Sequence, residues 1–280
     1  MDNLKRILNQ PSKLSPGHRS CRGCAAPLIA RHILREINQP VVVASATGCL
    51  EVTTSLYPQT AWRIPWIHSA FENAAATISG VESAYRALKK KGKIKKEIKF
   101  VVFGGDGGTT DIGLQSLSGA LERRHNFLYI CYDNGAYMNT GIQRSSATPF
   151  GAATTTTPVG KVKQGKELLR KDLTKIIVAH QINYVAQASI GYWQDLSNKV
   201  KKALAVKGPS FINVLSPCPL GWKFSGDLTI KIADLAVDTC FWPLYEVKSG
   251  VYKITHQPLK KIPITEFLKP QGRFRHLFKP

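Results

Sequence analysis

Runs of apolar, mostly β-branched residues recur along the chain, and amphipathic segments separate them. Nearly continuous apolar runs of this length are typical of parallel strands that helices cover on both faces. The runs predict strands at residues 41–46, 99–104, 127–133, 184–188 and 211–215. The segments between them predict helices at residues 25–37, 70–91, 110–123, 172–180 and 193–206. This alternation predicts an α/β fold with a doubly wound, mostly parallel sheet.

The segment 70–91 has the clearest helical pattern, because its apolar residues recur on one face. Ser69 and Glu72 have the S-x-x-E spacing of a capping box, and Gly92 is placed to end the helix. Lysines at positions 89–91 occupy its last turn, where positive charge complements the helix dipole.

Two further expectations concern polar positions. In the predicted helix 193–206, the lysines expected on the solvent face are Lys199, Lys201 and Lys202. The threonines at positions 154–157 precede Pro158 and Gly160, and this composition predicts a loop.

The composition limits the class of protein. The 280 residues, 43% hydrophobic, are expected to form a single domain over residues 1–280, with an extended N-terminal segment and a basic C-terminal segment. No run of about 18 apolar residues is present, so we expect a cytoplasmic chain without a membrane span. In a reducing compartment the six cysteines are not expected to form disulfides, which leaves metal binding or burial.

The chain is strongly basic, with a formal net charge of +21 from 39 Lys and Arg against 18 Asp and Glu. The excess is concentrated at residues 89–96, 199–207 and 256–280. No interleaved aromatic residues and no recognisable nucleic-acid-binding motif accompany it, so nucleic-acid binding is not expected. An acidic protein partner or subunit and a simply solvated basic face both remain open.

Glycines and a carboxylate directly follow the predicted strand 99–104, as Gly105, Asp106 and Gly107. Ligands of open α/β sheets bind beyond the carboxyl ends of the strands. Glycine lets the backbone approach a phosphate closely, and the Asp106 carboxylate is a hard oxygen ligand for a cation. Asn134 follows the next strand at the same edge, where its amide oxygen can complete magnesium coordination. These residues predict a site for a metal-bound diphosphate.

The cysteines suggest a second kind of site. Cys21 and Cys24 form a C-x-x-C pair, Cys49 follows a predicted strand, and Cys218 lies between two prolines in a later loop. Thiolates are the ligands that an iron–sulfur cluster needs, and a C-x-x-C turn supplies two of them. A zinc site or a redox pair remains open for the C-x-x-C alone. Cys131 lies inside a predicted strand and is expected in the core.

The stretch 104–152 resembles the β subunit of the 2-oxoacid:ferredoxin oxidoreductases and, within that family, pyruvate synthase. Similar stretches elsewhere are GHRSCRGCAAPLIARHIL, ATGCLEV, TAWRIPWIHSAFENAAA, SPCPLGW and QGRFRHL. They occur in order and cover almost the whole chain.

This resemblance implies a thiamine-diphosphate-binding fold that also holds one 4Fe-4S cluster. The implied cluster ligands are Cys21, Cys24, Cys49 and Cys218. The implied magnesium ligands are the side chains of Asp106 and Asn134 and the carbonyl of Ala136, and the residues implied near the diphosphate are Gly105, Gly107 and Thr140. Asn139 is implied as the catalytic residue beside the thiazolium and substrate, and Gly48 and Cys49 as contacts of both cofactors. His68 and Glu72 are assigned no catalytic role.

The activity that the resemblance implies is the reversible oxidative decarboxylation of pyruvate with coenzyme A to acetyl-CoA and carbon dioxide. Electrons would pass through the cluster to ferredoxin, and α, γ and δ subunits would complete the enzyme. Three alternatives remain: the same chemistry on 2-oxoisovalerate or another 2-oxo acid, a non-oxidative thiamine decarboxylase, and a basic zinc-stabilised binding module.

Overall fold

One sheet forms the centre of the computed structural model, which describes residues 10–260 and 262–278. Eight strands make up this sheet within the described residues. In chain order they are Val41–Ala46 (β1), Trp66–Ser69 (β2), Lys99–Gly105 (β3), Leu128–Asp133 (β4), Tyr184–Ser189 (β5), Ser210–Leu215 (β6), Leu244–Lys248 (β7) and Val251–His256 (β8). Their order across the sheet is β2-β1-β3-β4-β6-β5-β7-β8.

The sheet is parallel from β2 to β5, whereas β7 pairs with β5, and β8 with β7, in antiparallel fashion. The five predicted strands and the mostly parallel sheet are therefore confirmed. Of the three strands that the pattern did not predict, β2 and β8 form the two edges of the sheet and β7 lies next to the edge strand β8. The side chains of β8, for example, are exposed or half-buried, so this strand contains no apolar run.

Helices cover both faces of the sheet, as the doubly wound prediction requires. They are Ala25–Arg35 (α1), Cys49–Thr54 (α2), Ala74–Lys90 (α3), Leu114–Glu122 (α4), Leu173–Val178 (α5), Trp193–Ala205 (α6), Pro219–Trp222 (α7), Thr229–Asp238 (α8) and Ile264–Leu268 (α9). A π-helical turn, Gly108–Ile112, leads from β3 into α4, and a 3-10 turn, Gly272–Phe278, follows α9.

The core has two main layers, one on each face of the sheet. Helices α1 and α6 pack with residues such as Phe103 and Ile130 on one face. Helices α3, α4 and α5 pack with residues such as Val102 and Phe211 on the other face. Cys131, at 0% exposure, belongs to this second layer, so the prediction that it is a core residue is confirmed.

The predicted capping box at the start of the helix 70–91 is wrong. The helix begins at Ala74, with Asn73 as its N-cap, and Glu72 is exposed in the preceding turn. Ser69 instead ends β2, where it pairs with Ala46, because strand pairing takes precedence over the local capping pattern. His68 therefore lies in a strand and does not border a helix cap.

The expectation for Lys199 is also wrong. Its side chain is 1% exposed, and its ammonium group donates hydrogen bonds to the Asp195 carboxylate at 2.5 Å and to the Gln187 carbonyl at 2.7 Å. A buried lysine with an ion-pair partner and a carbonyl acceptor avoids most of the cost of an unpaired charge. Lys201 is half-buried and Lys202 is exposed at its head, where it pairs with Glu246.

No helix in the described part of the chain combines the length and apolar character needed to traverse a bilayer.

Candidate cofactor site

A narrow cleft lies at the carboxyl edge of the sheet, between the segments that follow β1, β3 and β4. Its lining includes Thr47, Gly48 and Cys49 after β1, Gly105, Gly107 and Gly108 at the end of β3, and Asn134, Ala136, Tyr137, Met138 and Asn139 after β4, with Phe71 and Tyr132 beside them. Because parallel strands end at the same edge, residues far apart in sequence meet here.

Asp106 is a fully buried carboxylate behind this cleft. One of its oxygens accepts the backbone N–H of Asn134 at 3.1 Å, and the other accepts the Ser145 hydroxyl at 2.5 Å. Burial and the neighbouring Asp133 carboxylate raise the pKa of Asp106 to about 8. Asp133 forms an ion pair with Arg170, whose Nη2 lies 2.5 Å from the Asp133 Oδ2. No ion pair to Asp106 is present among the described residues. A bound divalent cation would supply the missing positive charge and hold Asp106 ionised.

The turn after β4 presents oxygen atoms next to Asp106. Asn134 is 7% exposed, and its side-chain oxygen accepts the backbone N–H of Ala136 at 3.3 Å. Gly135, between these two residues, adopts φ +74°, a conformation that glycine readily allows and that bends the chain here. Carboxylate, amide and carbonyl oxygens are the donors that Mg²⁺ prefers, so this set of residues fits the ion.

Four glycines line the cleft, and three of them, Gly48, Gly105 and Gly107, lie next to tyrosine side chains. A Cβ atom on Gly107 would lie 2.5 Å from the Tyr137 ring, and one on Gly48 would lie 2.9 Å from the Tyr132 hydroxyl. Gly105 is less tightly covered, with the nearest ring atom at 3.4 Å. Tyr137 also donates its hydroxyl to the Gly107 carbonyl at 2.9 Å. Any larger residue at position 48 or 107 would displace a wall of the cleft.

Asn139 and Thr140, two predicted site residues that follow β4, lie in different places relative to the cleft. Asn139 is exposed at the cleft and contributes to its lining. Thr140 lies outside this lining, and its hydroxyl donates to the side chain of Gln143 at 2.5 Å. His68 lies close by, because its Nε2 is 2.7 Å from the hydroxyl of the cleft residue Thr47.

The C-x-x-C pair forms a tight turn in which the Cys24 N–H donates to the Cys21 carbonyl at 3.0 Å. Gly23 adopts φ +72°, and a Cβ atom there would lie 2.1 Å from the Gly226 carbonyl oxygen. Thr229 further secures the turn by donating its hydroxyl to the Gly23 carbonyl at 2.6 Å. These contacts fix the C-x-x-C turn against the segment 226–229.

The other two predicted ligands start helices. Cys49 begins α2 directly after Gly48, and Cys218 is the N-cap of α7. The Cys218 sulfur accepts the Gly221 N–H at 3.3 Å. A Cβ atom on Gly221 would lie 2.2 Å from the sulfur of Met138, so this loop packs against the cleft wall.

The four thiols influence one another electrostatically. Burial raises the pKa of Cys24 and of Cys49 to about 12, and the charges of the other three cysteines of the set act in the same direction on Cys49. Burial also raises the pKa of Cys218. Thiolates in such a place require a nearby positive charge, which metal coordination supplies.

The six cysteines, all within the described residues, are free of disulfides. Across the described ranges, no three His, Cys, Asp or Glu side chains are grouped closely enough to hold a single metal ion. One zinc ion draws its thiolates together at about 2.3 Å from a common centre, whereas a four-iron cluster binds each thiolate to a different iron. Cys21, Cys24, Cys49 and Cys218 could supply the thiolates that either group needs.

Several residues of the site were not predicted. Tyr137 and Met138 lie in the same loop as Asn134, so its position after a strand could have indicated them. Ser145 and Arg170, which position Asp106 and Asp133, lie in a long irregular segment without any recognisable pattern. Only the folded chain brings them to the site.

The chain matches the family described as thiamine pyrophosphate enzyme, C-terminal TPP binding domain, over residues 46–214. It is 56% identical to pyruvate synthase subunit PorB of Methanocaldococcus jannaschii over 94% of this chain and 89% of that protein. It is 53% identical to PorB of Thermotoga maritima over 98% and 88%, and 46% identical to ketoisovalerate oxidoreductase subunit VorB of Pyrococcus abyssi over 99% and 91%.

A solved structure has a similar fold. It is the 2-oxoglutarate:ferredoxin oxidoreductase from Magnetococcus marinus with 2-oxoglutarate, coenzyme A and succinyl-CoA bound, with a TM-score of 0.63 over 96% of this chain and 95% of that one. At 18% identity, this likeness concerns the fold alone.

Proposed function

Because this chain belongs to the family of thiamine-dependent 2-oxoacid:ferredoxin oxidoreductase β subunits, with pyruvate synthase PorB proteins among its relatives, we propose that it holds thiamine diphosphate, Mg²⁺ and one 4Fe-4S cluster. Its reaction is then the oxidative decarboxylation of pyruvate with coenzyme A. The products are acetyl-CoA and carbon dioxide, and ferredoxin receives the electrons.

The cleft supports the diphosphate half of this proposal. Asp106 and Asn134 would bind Mg²⁺ through their side chains and Ala136 through its carbonyl, while Gly105 and Gly107 leave room for the diphosphate. Thr140 would approach the diphosphate by turning from Gln143, its present partner. When bound, thiamine diphosphate supplies the carbon nucleophile and the electron sink that decarboxylation of a 2-oxo acid needs.

The substrate would enter at the open end of the cleft, where Asn139 is exposed. Its amide can donate hydrogen bonds to the oxygens of a 2-oxo acid and orient it. The rings of Phe71 and Tyr137 lie 5.8 Å apart in an edge contact and form an apolar wall. This wall would exclude water from the reacting atoms.

The observation that carries the proposal is the position of Cys49. Cys49 lines the cleft. The charges of Cys21, Cys24 and Cys218 also act on its thiol. A cluster held by these thiolates would therefore adjoin the thiamine site through Cys49 and Gly48. Neither a non-oxidative decarboxylase nor a zinc-stabilised binding module needs this arrangement.

Partners and substrate are part of the proposal. We expect α, γ and δ subunits to complete the enzyme, with the cleft at the boundary to α. The net charge of +21 favours association with an acidic protein such as ferredoxin. PorB relatives at 56% and 53% identity favour pyruvate, whereas the VorB relative at 46% keeps 2-oxoisovalerate as the second candidate.

The cofactor content tests the proposal. Protein purified without oxygen together with its α partner is expected to contain about four irons and a similar amount of acid-labile sulfide per β chain, with bound thiamine diphosphate. Cys218→Ala should lose the iron, whereas Cys240→Ala should keep it, because Cys240 is exposed outside the site. Zinc without sulfide would contradict the proposal. Comparing kcat/KM for pyruvate and 2-oxoisovalerate in the complete enzyme then identifies the substrate.

A further inference from the structure

The turn Gly272–Phe278 brings a charged side chain into the interior of the protein. Arg273 is only 3% exposed, although it lies in the basic C-terminal segment. Two backbone hydrogen bonds fix the turn: Gly272 donates to the Lys223 carbonyl at 3.1 Å, and Ala153 donates to the Arg273 carbonyl at 2.9 Å. Arg273 therefore belongs to the folded core and not to a solvated basic face.

Among the described residues, no carboxylate forms an ion pair with this guanidinium. Its carbon atom lies 3.9 Å from the centre of the Trp222 ring, and its Nε donates to the Gln271 side-chain oxygen at 2.9 Å. Its Nη2 is buried and has no hydrogen-bond partner within the described residues. Burying an unpaired charge is costly, so a native structure that retains one requires an explanation.

The surroundings of Arg273 indicate what would balance the charge. Trp222, on which the guanidinium stacks, ends the short helix that Cys218 begins. On the other side, a Cβ atom on Gly135 would lie 3.2 Å from Nη1, so the guanidinium also touches the turn after β4. Burial lowers the pKa of Arg273 to about 9, and the negative charge that most opposes this shift is that of Cys218, ahead of Asp133.

We propose that Arg273 is a positioning residue whose buried positive charge compensates the iron–sulfur cluster bound through Cys218 and raises the reduction potential of that cluster. The inference rests on the proposed function, since it assumes the cluster. Reduction adds an electron to a cluster that four thiolates already make negative, and a fixed cation in a poorly solvated interior favours that step. Asp133 is already paired with Arg170, and Asp106, the other carboxylate that acts on Arg273, is the proposed Mg²⁺ ligand, so the charge of Arg273 remains for the cluster.

The test compares reduction potentials of the cluster, measured by redox titration with electron paramagnetic resonance on the complete enzyme purified without oxygen. Arg273→Met removes the charge and retains much of the apolar stem. Arg273→Lys retains the charge but loses the planar stack on Trp222. Arg275→Gln is the matched control, because it removes an exposed charge from the same turn. Iron content and thermal unfolding are measured for every variant.

We expect the methionine variant to have a lower reduction potential than wild type, the lysine variant to stay closer to wild type, and the Arg275 control to be unchanged. A methionine variant with full iron and a wild-type potential would overturn the inference. So would a lysine variant shifted as far as the methionine variant, or loss of iron from both. If the wild-type protein itself lacks iron and sulfide, the proposed function fails, and this outcome is distinct from a failure confined to Arg273.

Discussion

Trp222 donates its indole N–H to the backbone carbonyl of Asn134 at 2.6 Å. This bond joins the helix that begins at Cys218 to the turn after β4 that carries Asn134 and Ala136. Trp222 is 1% exposed, so water does not compete for the bond. The buried Trp222 side chain thus connects the proposed cluster side of the site to the proposed magnesium side.

Replacing Trp222 by Phe should affect both stability and cofactor binding. The Asn134 carbonyl would lose its buried donor, and leaving such a group unpaired costs about 1–3 kcal/mol. We expect a lower free energy of unfolding in urea and weaker binding of thiamine diphosphate with Mg²⁺ by calorimetry. Trp193→Phe is the control, because Trp193 is a half-buried indole that packs near His32, away from the cleft. Unchanged cofactor affinity alongside reduced stability would show that the bond supports the fold only.

Gly107→Ala should weaken thiamine diphosphate binding by an order of magnitude or more, roughly the effect of 1.4 kcal/mol or more in binding free energy. The added methyl group would lie 2.5 Å from the Tyr137 ring and force this wall of the cleft to move. Calorimetric titration with the cofactor and Mg²⁺ measures the change.

Gly80→Ala is the matched control for that substitution. Gly80 lies within α3, and a Cβ atom there meets nothing within 4 Å. Alanine in a helix interior should stabilise the protein by about 0.5–1 kcal/mol and leave cofactor affinity unchanged. Equal affinities in the two variants would contradict the role assigned to the Gly107 contact.

Gly23→Ala should abolish iron binding. Its Cβ atom would overlap the Gly226 carbonyl oxygen at 2.1 Å, so the turn that carries Cys21 and Cys24 would have to separate from its support. Iron and sulfide analysis of the anaerobically purified complex measures the effect.

Gly17→Ala is the control that distinguishes the effect of backbone strain from the effect of the overlap with Gly226. Gly17 has a similar φ of +85°, but a Cβ atom there meets nothing within 4 Å. We expect it to cost about 1–2 kcal/mol of stability and to retain the iron. If Gly17→Ala also lost its iron, strain in the N-terminal segment and not the contact with Gly226 would be the cause.

The sequence predicted those parts of the fold that have strong local patterns. The central strands have nearly continuous apolar runs, and all five were found. Edge strands such as β8 were missed because their exposed side chains give no such run. The capping box at Ser69 failed because a local pattern cannot indicate that the residue will pair with a neighbouring strand.

The same distinction applies to the site. Asp106 and Asn134 follow recognisable strands, so their meeting at one edge could be anticipated from parallel topology. Ser145 lies in an irregular segment and Arg273 in a 3-10 turn, and both are far from Asp106 in sequence. Their positions depend on tertiary contacts that leave no periodic trace.

The buried Lys166 side chain is expected to make the stability of the protein depend on pH. Its side chain is buried, and its ammonium group donates to the carbonyls of Ser146 and Thr148, next to the Ser145 that holds Asp106. Burial, followed by the nearby charge of Arg144, lowers the pKa of Lys166 to about 8 from an unfolded value of 10.5. Between these two pH values the unfolded chain binds more protons, so the contribution of Lys166 to stability must increase as the pH rises.

We therefore expect the stability of the wild-type chain, measured relative to Lys166→Met, to be constant below about pH 8 and to rise from pH 8 toward 10.5. Urea unfolding of both proteins across this range measures the difference, which cancels the titration of other groups. Lys163→Met is the control, since Lys163 is exposed in the same segment and should give no such trend. A difference that falls with rising pH would mean that the charged form is favoured at this position, contrary to the desolvation argument.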